Sequence, residues 1–190
     1  NDFSAVEKSF RDAMFQTIAT ITTTGFSSSD YMAWHPILGL IILLLIPLGA
    51  SAGSTSGGVK IIRIHIILKN IYYEFKRVMH PKAIRPVRIN HRLISEHTLS
   101  NIYVFISIFI IILIISTIIL MITGLSASEA FGCAIASIAN VGPSLGEYGP
   151  TGTYAMIPDF AKWYLSALML IGRLELFTIL ILFLPSFWKK

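Results

Sequence analysis

Two short stretches of this 190-residue chain carry residue types suited to holding a dehydrated cation. IATITTTGF (Ile18–Phe26) and IASIANVGP (Ile135–Pro143) align on their glycines at a constant offset of 117 residues. A hard alkali ion that sheds its water needs oxygen ligands. Extended backbone supplies successive carbonyls wherever one residue takes an unusual φ/ψ. Gly25 and Gly142 permit that conformation. Thr22, Thr23, Thr24 and Phe26 flank the first glycine, and Ala139, Asn140, Val141 and Pro143 flank the second. The threonines add hydroxyl oxygens, and soft ligands are missing from both turns, as suits a hard ion. The competing reading makes TTTG and NVGP ordinary turns with glycine as a helix C-cap. Recurrence favours the ion path, because each turn follows a short capped helix and precedes an apolar run.

The elements around the turns support this. Ser4 to Thr24 has apolar residues at Val6, Phe10, Met14, Ile18 and Ile21, a helical spacing. Ser4-Ala-Val-Glu7 and Ser126-Ala-Ser-Glu129 both fit the capping-box pattern. A unit of short helix, glycine turn and following span, used twice, has too long a period for a solenoid. The negative end of each short helix points at its turn.

Composition places these units in a bilayer. The chain is 54% hydrophobic and 13% charged, against about a quarter charged in a soluble domain. From Thr98 to Ser128 there is no Asp, Glu, Lys or Arg. Three spanning regions are expected: a broken one from Pro36, one over Leu99–Thr123, and one over Phe160–Trp188. Pro36 to Leu48 is about 20 Å of helix, too short for a hydrocarbon core of about 30 Å. The GASAGSTSGG run or the helix after it must complete that crossing. Nine of the fifteen Lys and Arg lie in Lys60–Arg92, with Glu74 and Glu96 the nearby acids, and Lys189 and Lys190 end the chain. The positive-inside rule makes both regions cytoplasmic, a better account of the charge than nucleic-acid binding. One cysteine, Cys133, excludes an internal disulfide, and no signal peptide is visible.

Three other features carry candidate chemistry. Gly49-Ala-Ser-Ala-Gly53 fits G-x-S-x-G, which would make Ser51 a hydrolase nucleophile, but it lacks the strand–turn–helix setting. As a plain linker, the stretch would leave backbone groups unsatisfied at bilayer depth. Arg173 and Glu175 sit in an apolar span; an arginine there should face protein or water. It either forms a buried structural pair or opposes cations below the turns. Asp30 and Glu147 follow the turns and either concentrate cations or are solvated loop acids. The five histidines show no ligand spacing, and no cofactor is evident.

ITTTGFS, GASAGSTSGGVKIIR, NVGPSLGEYGPTG and LIGRLELFT, in that order, resemble the Trk/Ktr/HKT superfamily of potassium transporters, and within it the bacterial TrkH-like membrane subunits. The resemblance covers essentially the whole chain. It implies an all-α membrane fold of M1–pore-helix–M2 repeats with re-entrant filter hairpins, of which this chain would supply about one and a half of four. Residues 1–69 would be pore helix, filter and broken M2 of the third repeat, 70–97 a basic cytoplasmic linker, and 98–190 the complete fourth repeat. The resemblance further implies K+ as the transported ion, and filters at Thr22–Phe26 and Ala139–Pro143. A gating loop would be formed by Gly49, Ala50, Ser51, Ala52, Gly53, Ser54, Thr55, Ser56, Gly57 and Gly58, opposed by Arg173. The expected surroundings are inner-membrane lipid, the missing repeats, a second copy in a homodimer, and a cytosolic nucleotide-binding, TrkA-like regulatory subunit docking on Lys69–Arg92. The rivals are a membrane-bound hydrolase using Ser51 and a non-conducting regulatory subunit.

Overall fold

The structure, a computed structural model, describes residues 2–51, 53–54, 56–80, 88–89, 92–174, 176–182 and 185–188. These residues are predominantly α-helical. Among the described residues one apolar helix has the length to cross a bilayer: α4 (Glu96–Ile122), of 27 residues, extends about 40 Å at 1.5 Å per residue. Ser95 caps it by accepting from the Thr98 amide. Although α4 is apolar all round, it buries a single stripe of Ile102, Phe105, Phe109, Leu113, Ser116 and Leu120, at spacings of three and four. Ile110, Ile111, Ile114, Ile115 and Ile118 are exposed.

That stripe packs on α5 (Ala127–Ala139), which lies between α4 and α6 (Asp159–Arg173). Every residue of α5 from Gly132 to Ala139 is buried. Its alanines, Gly132, Cys133 and Ser137 are small enough to let both neighbours approach closely. The Ser126/Glu129 capping box forms as the sequence predicts. Between α4 and α6, the buried Ser116 hydroxyl meets the Tyr164 hydroxyl at 2.9 Å, satisfying a polar group in apolar surroundings.

The first copy begins with α1 (Asp2–Ile21). Ser4 is an internal position of that helix rather than its cap, because the backbone is already helical at Asp2. The apolar stripe read from the sequence faces away from the rest of the chain: Phe3, Val6, Phe10, Met14 and Ile18 are exposed, while Gln16, Ala19 and Thr20 are buried. The helix is inside out relative to this chain. After α1 come a 3₁₀ turn (Tyr31–Ala33) and α2 (Pro36–Leu45), started by Pro36 at its first turn and capped by His35. Ten residues make α2 about 15 Å long, so this span is broken as expected.

The chain then forms β1 (Leu48–Gly49), a loop, and β2 (Val59–Lys60), paired in parallel with Leu48 opposite Val59. α3 (Ile61–Met79) follows directly and ends with Lys76 and Arg77 in its last turn, favourable to its dipole. β3 (Arg88–Ile89) and β4 (Arg92–Leu93) make a small antiparallel hairpin in the basic segment. The last expected span departs from the sequence reading. The helix over Asp159–Arg173 (α6) ends before Leu174, and the described residues are helical again over α7 (Leu176–Leu182) and α8 (Pro185–Trp188). Gly172 weakens the end of α6, and Leu174 caps it outside helical geometry.

Candidate functional site

The two glycine turns share one backbone conformation. Thr23 and Asn140 both lie in the left-handed region, at φ 54° and 58°, and the glycines two residues on also have positive φ, 75° at Gly25 and 110° at Gly142. In the first copy the Thr24 amide bonds the Ala19 carbonyl (2.9 Å) and the Thr23 amide bonds Thr20 (3.1 Å). In the second, the Val141 amide bonds Ala136 (3.0 Å) and Asn140 bonds Ser137 (3.1 Å). Each pair is a Schellman motif, and every atom corresponds at the 117-residue offset. The C-cap alternative therefore holds locally: Thr23 and Asn140, rather than the glycines, are the left-handed caps. The glycines take positive φ two residues beyond the caps. A β-branched residue at positive φ is a true outlier, costing about 1–3 kcal/mol, and it persists only where the surroundings impose it. Around Thr23, the Thr22 and Thr24 hydroxyls meet at 2.7 Å, and Thr22 also donates to the Ile18 carbonyl at 2.7 Å.

The turns meet. A Cβ on Gly25 would lie 2.0 Å from the Val141 carbonyl oxygen, so only glycine allows the contact. Gly142 has nothing within 4 Å of its Cβ direction, so its requirement is conformational alone. Two tyrosines brace the second turn. The Tyr154 hydroxyl donates to the Gly142 carbonyl (2.8 Å), and Tyr31, only 2% exposed, donates to the Ser144 carbonyl at 2.6 Å. Burial, and secondarily the Asp30 charge, push the Tyr31 hydroxyl up to about 12. The Asp30 carboxylate accepts from the Met32 amide (2.9 Å) and from the Thr151 hydroxyl in the segment after the second turn (3.5 Å). Glu147 is exposed.

Beneath the second turn lies the small-residue loop. Its neck is built from glycine-on-backbone contacts. A Cβ on Gly49 would lie 2.4 Å from the Gly57 oxygen, one on Gly58 2.7 Å from the Pro47 oxygen, and one on Gly57 2.2 Å from the Ala139 oxygen. Gly57 thus abuts the last carbonyl of α5. Gly172 comes to the same place from α6, its Cβ direction 2.0 Å from the Ile138 oxygen. Inside the loop the Ser54 hydroxyl donates to Ser56 (3.0 Å), the Ser56 hydroxyl accepts from the Ala50 amide (3.2 Å), and the Ser51 carbonyl accepts from Ser54 (3.0 Å). Lys60, 5% exposed, turns its ammonium into the loop and donates to the Ser54 carbonyl (2.6 Å) and the Ser56 carbonyl (2.5 Å).

The structure thus brings together the two turns, Gly49, Gly57, Gly58 and the Arg173 end of α6. Arg173 itself is exposed, one residue beyond the Gly172 contact. Glu175, Ala52 and Thr55 lie outside the described residues. Among the described residues Ser51 has no acid or histidine bonded to its hydroxyl, and no metal-binding cluster occurs. Sequence reasoning missed Lys60, Gly172, Tyr31 and Tyr154. Tyr31 had a readable signal, since Tyr148 recurs at the same offset, also buried.

Comparison with known proteins gives concordant results. The family model described as "TrkH: Cation transport protein" matches residues 3–190. The Trk system potassium uptake protein TrkH of Escherichia coli (strain K12) is 36% identical over all 190 residues, which are 39% of that protein. The Trk system potassium uptake protein TrkI of Halomonas elongata is 34% identical over 183 residues, 96% of this chain and 37% of the relative. The crystal structure of the potassium transporter TrkH from Vibrio parahaemolyticus superposes with a TM-score of 0.88 at 34% identity, covering 96% of this chain and 39% of that one. The chain spans about two fifths of the length of the relatives it matches.

Proposed function

The chain belongs to the TrkH family of cation transport proteins, and from that membership we propose that it forms two adjoining quarters of a potassium permeation path in the inner membrane. The carrying observation is the pair of conformationally matched turns, with Gly25 seated on the Val141 carbonyl. In this reading α1 and α5 are re-entrant pore helices, and Thr22–Phe26 with Ala139–Pro143 are the filter segments. Residues 1–69 and 98–190 belong to successive repeats joined by the basic segment. The exposed apolar stripe of α1 and the exposed isoleucines of α4 need lipid or the remaining repeats against them, since water would charge about 25 cal/mol for each Å² of apolar surface. The hydrolase reading loses its support, because the relatives are potassium uptake proteins and, among the described residues, the elbow serine has no acid or histidine bonded to its hydroxyl.

The gate is the loop around Lys60. A buried ammonium is tolerated only when its hydrogen bonds are met, and the loop's carbonyls meet them. The loop thereby encloses a fixed positive charge beneath the second turn, with Arg173 nearby as a second. K+ is the transported ion and no resident cofactor takes part. A homodimer and a TrkA-like regulatory subunit docked on Lys69–Arg92 complete the assembly.

The test is cation flux into proteoliposomes by the full-length transporter. K+ uptake that exceeds Na+ uptake supports the reading, and absence of flux overturns it in favour of a regulatory subunit. Orientation has its own measurement. Cysteines placed at positions 80 and 190 should be shielded from an impermeant outside thiol reagent in intact cells, and one at 149 should react. Cys133 is fully buried and contributes little background. Labelling of position 80 from outside would reverse the topology.

A further inference from the structure

We propose that Tyr31 and Tyr154 are positioning residues for cation discrimination, their hydroxyls holding the Gly142 and Ser144 carbonyls and so fixing which oxygens of the second turn face the ion and how far apart the two turns stand. The proposal rests on the filter reading above and adds to it the residues that set the filter's dimensions.

The geometry has three parts. First, both bonds are short, 2.8 Å from Tyr154 to Gly142 and 2.6 Å from Tyr31 to Ser144, and both acceptors are main-chain oxygens within or beside the segment assigned as filter. A carbonyl accepting such a bond is aimed at the donor, so the outer part of this segment is turned to the tyrosines while the Val141 carbonyl is aimed at Gly25. Second, the two donors come from different places. Tyr154 follows Gly142 in the same loop, whereas Tyr31 belongs to the first copy, 113 residues from its acceptor. Tyr31 is therefore a strut between the copies, with its ring buried beside the Gly25 turn and its hydroxyl on the other copy's backbone. Third, the rings are fixed. Tyr31 is buried, and Tyr154 packs on Tyr148 with ring centroids 5.5 Å apart and planes tilted by 35°. Tyr148 occupies the position equivalent to Tyr31 at the 117-residue offset, so a buried tyrosine six residues after the glycine belongs to the repeated unit.

Discrimination between cations depends on the number and spacing of coordinating oxygens. A donor that holds a carbonyl away from the path changes the number, and a strut between turns sets the spacing. Burial favours the neutral form of both hydroxyls, pushing Tyr31 up to about 12 and Tyr154 up as well, so each remains a donor across the physiological range.

The experiment uses the full-length transporter in proteoliposomes, with K+ uptake measured against competing Na+ and normalised to inserted protein. Tyr31→Phe and Tyr154→Phe keep the rings and delete the donors. Each should reduce the K+/Na+ uptake ratio about threefold to tenfold, the value of one net hydrogen bond, with maximal flux retained. Gly142→Val is run beside them as the filter control. An altered ratio in Gly142→Val with unchanged ratios in both tyrosine variants overturns the positioning assignment and leaves the filter standing. Unchanged ratios in all three remove the filter reading and this inference with it. If the phenylalanine variants insert poorly, an ortho-fluorinated tyrosine at position 31 decides. It keeps the ring shape and strengthens the donor, so the ratio should shift, and an unshifted ratio ends the proposal.

Discussion

Replacing Gly25 with valine in the full-length transporter should abolish K+-selective uptake, and even Gly25→Ala should lower it at least about tenfold. Two costs combine at this position. The backbone sits at φ 75°, where an L side chain costs roughly 1–2 kcal/mol. The added Cβ would also fall 2.0 Å from the Val141 oxygen, a backbone atom with no rotamer to yield. The turns must separate, and the carbonyl facing Gly25 moves with them. Since every 1.4 kcal/mol is about a factor of ten, strain and clash together exceed what a selective site tolerates. Gly142 gives the contrast. It needs φ 110° but has open space around its Cβ direction, so Gly142→Ser should retain more uptake than Gly25→Ser. Uptake of K+ and Na+ per inserted molecule measures both. Equal K+/Na+ discrimination in Gly25→Val and the parent would falsify the assignment of this turn to the filter.

On the proposed gating, Lys60→Met should raise K+ flux by about tenfold and weaken control by the proposed regulatory partner. Two unit charges about 12 Å apart repel by roughly 1.4 kcal/mol at an effective dielectric of 20, which is about a factor of ten. Methionine removes that charge at similar length. It also frees the Ser54 and Ser56 carbonyls, oxygens that then suit a cation better than they suit a thioether. Arg173→Ala should act in the same direction with a smaller effect, because its side chain is exposed rather than enclosed by the loop. Deletions within Gly49–Gly58 are a poorer probe. The neck glycines pack on Pro47, Gly57 and Ala139 backbone, so shortening the loop disturbs the α5 end as well. The measurement is flux divided by protein in the membrane. If Lys60 only stabilises the loop, abundance falls and flux per molecule does not rise. That outcome in both Lys60→Met and Arg173→Ala ends the gating account.

The sequence by itself determined the membrane class, the broken first span, the two-copy organisation and the position of both turns. These follow from local physics: apolar run length, capping chemistry at Ser126, and an offset at which Thr23 pairs with Asn140 and Gly25 with Gly142. The offset even carried the turn geometry, since helices ending in the same Schellman hydrogen bonds put Thr23 and Asn140 in the left-handed region and Gly25 and Gly142 at positive φ. Tertiary structure decided what each residue touches. That Gly25 is needed for contact and Gly142 for conformation alone depends on where Val141 lies, more than a hundred residues away. The ending of the last long helix at Arg173 was not readable from LIGRLELF, because the apolar run resumes beyond Arg173 and Glu175, whereas Gly172 is fixed against the Ile138 carbonyl only in the packed chain. Lys60 read as one more cytoplasmic charge, since the topology rule counts charges and is silent on where a flexible side chain points. The outward-facing apolar stripe of α1 shows the same division. Periodicity reveals that a face is apolar, but only the packed arrangement shows that this chain does not cover it.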